Sequence, residues 1–303
     1  MNNLDPKMRK VLLGVMATLR FLPLPLLRAL GAGLGILLWT FAKRRKHVVK
    51  TNLMLCFPEL DSDSRERLGR DHFKYVVQAL LDRSWLWHGS EEQIRARIKL
   101  KGDAQSMALL QDTSHENAMD PLVIFAPHFV GLDAGWTALG LDSSRALTTI
   151  FTQQSSLEMD EWVYAGRMRF GQVSLFRKVQ GVSEIVRSLK SGSVLYLLPD
   201  MDFGPQDTVF VPFYGQNAAT VTSLSRFAKV SKAKVLSVVT QLTPSGYEVR
   251  VSSLWGSFPS DDVQADTKRM NLELQSLIKQ MPAQYYWVHR RFKTRPPGEP
   301  SLY

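Results

Sequence analysis

Two short, uninterrupted apolar runs, at residues 122–126 and 194–198, constrain the fold of this chain more than any other feature. A run of four or five apolar residues bounded by turn residues is typical of a strand that is buried on both faces, as in a parallel sheet. Between them, residues 182–189 carry apolar side chains at positions i, i+3, i+4 and i+7, which indicates one face of a helix. Strands that alternate with helices predict an α/β fold with a mixed, mainly parallel central sheet flanked by helices.

The remaining periodic segments extend this pattern along the chain. Further strands are predicted at 146–151, 235–242 and 247–251, and helices at 48–57, 65–86, 160–170, 221–230 and 270–281. The strands on either side of Pro244-Ser245-Gly246 are close enough to form a hairpin, which would add antiparallel pairing to the sheet.

The N-terminal part of the chain is unusually apolar. Residues 30–42 carry no charge, and the apolar stretch reaches the roughly 20 residues of a membrane-spanning helix only if it begins at residue 21 and accepts Arg28. The basic run at residues 43–46 follows directly, which is typical of the cytoplasmic side of a membrane segment. We therefore expect a membrane anchor with its basic flank at residues 1–46, spanning or monotopic, and a cytoplasmic domain at residues 47–303. The alternative is a buried amphipathic helix of a soluble protein.

The overall charge points toward phosphate-bearing partners. The 303 residues contain 38 Lys and Arg against 28 Asp and Glu, a net charge of +10. Such a balance favours nucleic acid, an anionic membrane or a phosphorylated substrate as a binding partner. The single cysteine excludes an internal disulfide and any metal site built from several cysteines.

His128 and Asp133 follow directly after the first buried strand. In α/β folds, reactive groups gather just beyond the carboxyl ends of strands. The two residues do not share a helical face, but they can approach if His128 lies on the loop and Asp133 lies in the first turn of the next helix. A carboxylate beside an imidazole supports the charge that forms when the ring takes a proton, so His128 is a candidate general base. Most His-x4-Asp spacings nevertheless arise by chance.

A second polar segment, residues 199–205, follows the second buried strand and contains Asp200 and Asp202. These carboxylates could bind a cation, orient a base or cap local backbone donors. A turn without catalytic function explains the segment equally well.

Several arginines suit phosphate recognition, because the planar guanidinium donates two parallel hydrogen bonds. On a helix they can equally be a solvated face, and the basic run at residues 289–295 can be a headgroup clamp or a tail. The candidates are Arg167, Arg169, Arg177, Arg290 and Arg291.

Taken in order, these segments resemble the bacterial lipid A late acyltransferases, the lauroyl and myristoyl transferases of lipopolysaccharide synthesis. The resemblance covers nearly the whole chain. It is carried by Lys43-Arg44-Arg45, residues 52–59, His128 with Asp133, Gly166-Arg167-Met168-Arg169, residues 199–205, residues 209–213 and residues 284–296.

The resemblance implies a membrane-bound acyltransferase whose fold is similar to that of the glycerolipid acyltransferases. It implies acyl carrier protein as the acyl donor, and an acylated, phosphorylated glucosamine disaccharide as the acceptor. It places the enzyme on the cytoplasmic face of the bacterial inner membrane, in contact with anionic lipid. The implied catalytic dyad is His128 and Asp133, and Arg167 and Asp200 match other positions thought to be needed for activity.

A thioester is already activated, so neither a metal nor a cofactor is expected. We predict that His128 removes the hydroxyl proton and that Asp133 stabilises the imidazolium. Asp200 is expected to orient an arginine or the acceptor sugar. The remaining candidates for substrate binding are Arg169, Arg177, Asp202, Arg290 and Arg291.

Two other functions would leave similar sequence features. A glycerophospholipid acyltransferase of the lysophosphatidate type shares the His-x4-Asp pattern, although the long C-terminal aromatic and basic block argues against it. A basic, membrane-tethered nucleic-acid-binding protein would also explain the net charge. The basic residues are spread along the chain, however, and no nucleic-acid-binding motif is present, so we expect no nucleic-acid partner.

Overall fold

A central sheet organises the computed structural model, which describes residues 5–111, 119–177 and 181–303. The strands are β1 (Ile98–Lys101), β2 (Leu122–Phe125), β3 (Leu147–Phe151), β4 (Val173–Arg177), β5 (Val194–Leu197), β6 (Thr208–Phe213), β7 (Gln216–Val221), β8 (Lys234–Thr243) and β9 (Gly246–Val251). Within the described ranges the sheet has seven strands in the order β1-β9-β8-β2-β5-β3-β4. Neighbouring strands are parallel except β8 and β9, while β6 and β7 form a separate antiparallel ribbon.

Helices pack on both faces of this sheet. They are α1 (Pro6–Thr18), α2 (Leu24–Phe41), α3 (Lys43–Cys56), α4 (Ser62–His88), α5 (Glu91–Arg95), α6 (Ala104–Gln111), α7 (Leu132–Asp142), α8 (Leu157–Arg167), α9 (Val182–Lys190), α10 (Ser223–Ser231) and α11 (Val263–Gln280). The predicted fold class, a mixed and mainly parallel sheet flanked by helices, is confirmed. The predicted hairpin is formed by β8 and β9.

The two uninterrupted apolar runs are the central strands β2 and β5. All four residues of each strand are buried. Because successive side chains of a strand point to opposite faces, Val123 and Phe125 pack with α9, α10 and α11, while Leu122 and Ile124 pack with α4, α7 and α8. A strand covered on both sides needs apolar residues at every position, which is why these runs lack the usual alternation.

The N-terminal helix α2 packs lengthwise against α4. A Cβ atom built on Gly35 would lie only 2.6 Å from the Cα of Lys74, so the two backbones approach closely at this point. Arg28 of α2 forms a buried ion pair with Asp82 of α4, with 2.9 Å between Nη2 and Oδ2. The opposite face of α2 exposes apolar side chains, namely Phe21 just before the helix and Leu26, Leu30, Leu34, Ile36, Leu37, Leu38 and Phe41 within it.

The helix α2 is both a candidate membrane segment and a part of the protein core. By length and composition α2 is apolar enough to cross a membrane, and within the described ranges no other helix is. One side of it is nevertheless part of the protein core. The expected boundary after residue 46 falls inside α3.

Candidate active site

His128 and Asp200 meet at the carboxyl ends of two adjacent parallel strands. Phe125 of β2 is level with Leu197 of β5, and each of the two polar residues lies three positions further along its chain. His128 Nδ1 lies 2.7 Å from Asp200 Oδ1, and the backbone N–H of His128 donates to Oδ2 at 3.0 Å. Because an ionised carboxylate only accepts, this geometry assigns a proton to Nδ1 and leaves the lone pair of the neutral ring on Nε2.

The two side chains differ in exposure. The Asp200 carboxylate is fully buried, whereas 22% of the His128 side chain is exposed. Burial opposes ionisation of Asp200, but the charge of His128 and the hydrogen bonds from it lower the pKa of this carboxyl below its usual value. Asp200 therefore remains an anion behind the ring, and Nε2 has no hydrogen-bond partner among the described residues.

The C-terminal block fixes the His128 loop in place. The backbone N–H of Tyr286 donates to the His128 carbonyl at 2.9 Å, and that of Val130 donates to the Gln284 carbonyl at 2.9 Å. Phe129 and Tyr285 form an antiparallel bridge between these segments. The aromatic and basic motif near the end of the chain thus forms one wall of the site.

Asp133 lies in the first turn of α7, and both of its carboxylate oxygens are bound by arginines. Arg83 approaches Oδ2 with Nε at 2.9 Å and Nη2 at 2.7 Å. Arg167 approaches Oδ1 with Nε at 2.9 Å and Nη2 at 2.8 Å. Burial opposes ionisation of Asp133, but the two guanidinium groups lower its pKa to about 2.

These contacts exchange the partners that were predicted for the two carboxylates. The expected imidazole–carboxylate pair was His128 with Asp133, and Asp200 was expected to orient an arginine. In the structure, Asp200 binds the imidazole and Asp133 binds the arginines. The reason lies in the sheet order, because β2 and β5 are neighbours and place residues 128 and 200 side by side.

Arg83 was not among the predicted site residues. It lies on α4, 50 positions before the aspartate that it binds. One sequence signal could have identified it, namely the charged pair Asp82-Arg83 inside an otherwise apolar stretch near the end of the predicted helix. Charged residues inside an apolar stretch usually need buried partners.

Arg169 and Arg177 have partners other than Asp133 and Asp200. Arg169 donates to the carbonyls of Leu86 at 3.2 Å and of Gly89, which are at the end of α4. Arg177, the last residue of β4, is ion-paired with Asp160 at 3.1 Å and remains partly exposed. Arg169 thus holds the end of a helix, while Arg177 lies at the same sheet edge as His128.

Asp202 and Arg291, which were predicted to bind substrate, are both buried. Asp202 accepts hydrogen bonds from the Thr294 backbone at 2.6 Å and hydroxyl at 2.8 Å. The Arg291 side chain, in a residue that is only 1% exposed, donates to the Ala219 carbonyl at 2.8 Å. Both residues fasten the C-terminal segment to the rest of the fold.

Arg290 is more accessible than its neighbour. It is partly exposed, and its guanidinium carbon lies 5.6 Å from the centre of the Tyr303 ring. This contact orients the side chain without fixing its donors.

The assembled site offers an imidazole with a free nitrogen, a buried carboxylate behind it, and two arginines held by a second carboxylate. An imidazole supported in this way can accept a proton from a hydroxyl group that attacks a carbonyl. Guanidinium groups can stabilise negative charge that develops on oxygen, or bind a phosphate.

Known proteins are similar to this chain over nearly its whole length. Residues 7–294 match the family described as bacterial lipid A biosynthesis acyltransferase. The chain is 31% identical over 296 residues to the lipid A biosynthesis palmitoleoyltransferase of Escherichia coli K12, covering 96% of this chain and 92% of that protein. It is 31% identical over 294 residues to the lipid A biosynthesis lauroyltransferase of the same organism, covering 96% and 93%.

A solved structure also aligns with the chain. It is the crystal structure of the 1-acyl-sn-glycerophosphate acyltransferase from Thermotoga maritima, which covers 86% of this chain and 98% of its own, with 14% identity and a TM-score of 0.38. On the extent of the family match and the identity to the two Escherichia coli enzymes, this chain belongs to the bacterial lipid A biosynthesis acyltransferases and is itself an acyltransferase.

Proposed function

We propose that the protein transfers a fatty acyl chain from an acyl carrier protein thioester to a hydroxyl group of a phosphorylated lipid A precursor, with His128 as general base. One observation carries the proposal. The 2.7 Å contact between His128 Nδ1 and the buried Asp200 directs the basic lone pair of the ring to Nε2, on the exposed side. Family membership supports the lipid acceptor.

The thioester donor is already activated, so the enzyme has to supply a nucleophile by activating the hydroxyl group. The hydroxyl oxygen forms a bond to the thioester carbonyl carbon, and its proton passes to Nε2 of His128. The C–S bond then breaks, and the proton passes from the imidazolium to the departing sulfur. The products are an ester and a thiol, so atoms and electrons balance without a metal or a redox partner. Asp200 stabilises the imidazolium between the two proton transfers.

Asp133 has a positioning role in this proposal. It fixes Arg83 and Arg167 in defined orientations, and both side chains keep part of their surface exposed. The remaining guanidinium N–H groups suit the phosphate of an acceptor. We also assign phosphate binding to the partly exposed Arg177 and Arg290.

The outer face of α2 supports placement of the enzyme at a membrane. Its exposed apolar side chains would be favourable in lipid and unfavourable in water. The basic residues Lys43–Lys46 begin the next helix, where they would meet anionic headgroups. We therefore propose attachment to the bacterial inner membrane, with the site on the cytoplasmic side, where acyl carrier protein is found.

The test is His128→Ala in purified full-length enzyme, with lauroyl-acyl carrier protein as donor and an acylated, phosphorylated glucosamine disaccharide as acceptor. Loss of general-base action should lower kcat by about 10²–10⁴-fold. Thermal unfolding in the same detergent would establish that the variant is folded. Undiminished turnover in this variant would remove the assignment of the base. Preferential acylation of lysophosphatidate in a parallel assay would reassign the acceptor.

A further inference from the structure

A second histidine, His289, lies beside the proposed general base. The backbone N–H of His289 donates to the Tyr286 carbonyl at 3.3 Å, which turns the chain back on itself. The N–H of Tyr286 donates in turn to the His128 carbonyl at 2.9 Å. The turn therefore returns His289 to the neighbourhood of the His128 loop.

Both imidazoles are held by the same short loop. Asp200 binds His128, and two residues later the backbone N–H of Asp202 donates to Nε2 of His289 at 3.0 Å. Burial, and then the charges of Arg291 and His128, lower the pKa of His289 to about 4. The ring is therefore neutral near pH 7, and it lies within electrostatic reach of His128.

The hydrogen bond from Asp202 fixes the tautomer of His289. Nε2 accepts a hydrogen bond through its lone pair, so it carries no hydrogen itself. The single proton of the neutral ring must then be on Nδ1. That nitrogen has no hydrogen-bond partner among the described residues, and the side chain is only partly buried. His289 is thus a neutral N–H donor whose orientation is set by the backbone.

We propose that Nδ1–H of His289 donates a hydrogen bond to the thioester carbonyl oxygen as that oxygen becomes negatively charged. The inference rests on the proposed function and adds a catalytic residue to it. The attacked carbonyl must lie within reach of the hydroxyl bound at His128, and His289 is held by the same loop. A fixed donor is worth most where charge develops during the reaction, because it needs no reorganisation.

Two amide substitutions separate this role from a structural one. In His289→Asn, the side-chain NH₂ group lies close to the position of Nδ1 and keeps a donor. In His289→Gln, the longer side chain can place its oxygen near the position of Nε2 and accept from Asp202, but the donor at Nδ1 is lost. His289→Ala removes both groups.

We expect Gln and Ala to lower kcat by about 10²–10³-fold with KM nearly unchanged, the usual effect of losing one such donor. Asn should stay within about tenfold of wild type. If Gln restores turnover and Asn does not, His289 only supports the Asp202 loop and the inference is wrong. A loss confined to KM would also overturn it, since a donor to the transition state acts on kcat.

A measurement on the unmodified enzyme keeps the inference testable if a variant does not fold. Nitrogen-15 NMR of histidine-labelled full-length enzyme in detergent should show His289 as the Nδ1-protonated neutral tautomer near pH 7. An Nε2-protonated ring, or an imidazolium at that pH, would overturn the inference.

The same assay separates this inference from the proposed function. If wild type does not acylate the disaccharide, or if His128→Ala turns over normally, the proposed function fails. If these two behave as expected while His289→Gln matches wild type, only the role of His289 fails.

Discussion

Replacing Asp200 with asparagine would move the proton of the neutral His128 ring from one nitrogen to the other, with little change in the shape of the side chain at position 200. Asp200 accepts from His128 Nδ1 at 2.7 Å and from the His128 backbone at 3.0 Å. An amide has one oxygen, so if that oxygen binds the backbone N–H, the NH₂ group faces Nδ1. Nδ1 must then accept, and the neutral ring carries its proton on Nε2. That tautomer cannot take a proton from a hydroxyl group.

The expected loss can be scaled from the chemistry. Asp200→Asn also removes the anion that stabilises the imidazolium. The corresponding change in a serine protease triad lowers kcat by about 10⁴-fold. We expect a loss on the order of 10³–10⁴-fold here, which corresponds to about 4–5.5 kcal/mol of activation free energy.

The assay is kcat for transfer from lauroyl-acyl carrier protein to the disaccharide acceptor, measured between about pH 5 and pH 9, where imidazole titrates. Asp133→Asn is the matched control, because it removes a carboxylate bound to arginines and leaves Asp200 in place. The control should keep the acidic limb of the pH profile at the wild-type position, even if its kcat falls. If Asp200→Asn retains kcat within tenfold while Asp133→Asn loses the limb, then Asp133 is the partner of His128 and the reasoning from the contact is refuted.

Two further predictions concern stability. Arg28→Met leaves the buried Asp82 carboxylate without its ion-pair partner, so the free energy of unfolding should fall by roughly 3–5 kcal/mol. The control is Arg226→Met, which breaks an exposed ion pair. The prediction is wrong if the thermal midpoint of Arg28→Met in detergent falls no further than that of the control. Burial lowers the pKa of His72 to about 4, so below about pH 6.5 the unfolded chain binds a proton that the folded chain does not. His72 should therefore contribute about 3 kcal/mol to the rise in the free energy of unfolding between about pH 4 and pH 6.5. His72→Asn, whose NH₂ group lies close to the position of Nδ1 and can still donate to the Ala283 carbonyl, should reduce that rise in urea titrations. An identical pH dependence in both proteins would show that His72 is not responsible.

The fold was predictable where local sequence and burial agree. β2 and β5 are continuous apolar runs because both faces are covered. The helix α9 was predicted from its apolar stripe, of which Ile185 and Leu189 are buried while Val182 is exposed. The strand β1 was not predicted, since Ile98-Lys99-Leu100-Lys101 is short and half-exposed at the edge of the sheet. The antiparallel ribbon of β6 and β7 was also missed, because Phe210 to Phe213 includes a proline and lacks a regular alternation.

Several residues of the candidate site were identified from the sequence, but the contacts between them were not. His128 and Asp200 were both identified because each follows a buried strand. Their pairing depends on which strands are neighbours, and two residues 72 positions apart carry no local sign of contact. Asp133 was assigned to His128 because the two are close in sequence, whereas Arg83 was missed because its partner lies on a different helix.

The contact between α2 and α4 also connects the exposed apolar helix to the candidate site. The Arg28–Asp82 pair joins α2 to α4, and the next residue of α4 is Arg83, which reaches the candidate site. If α2 enters the leaflet as proposed, its packing against α4 would make the depth of α2 determine the distance of His128 from the headgroups. A lipid that stays embedded by its tails would present to the imidazole only those hydroxyls at that level.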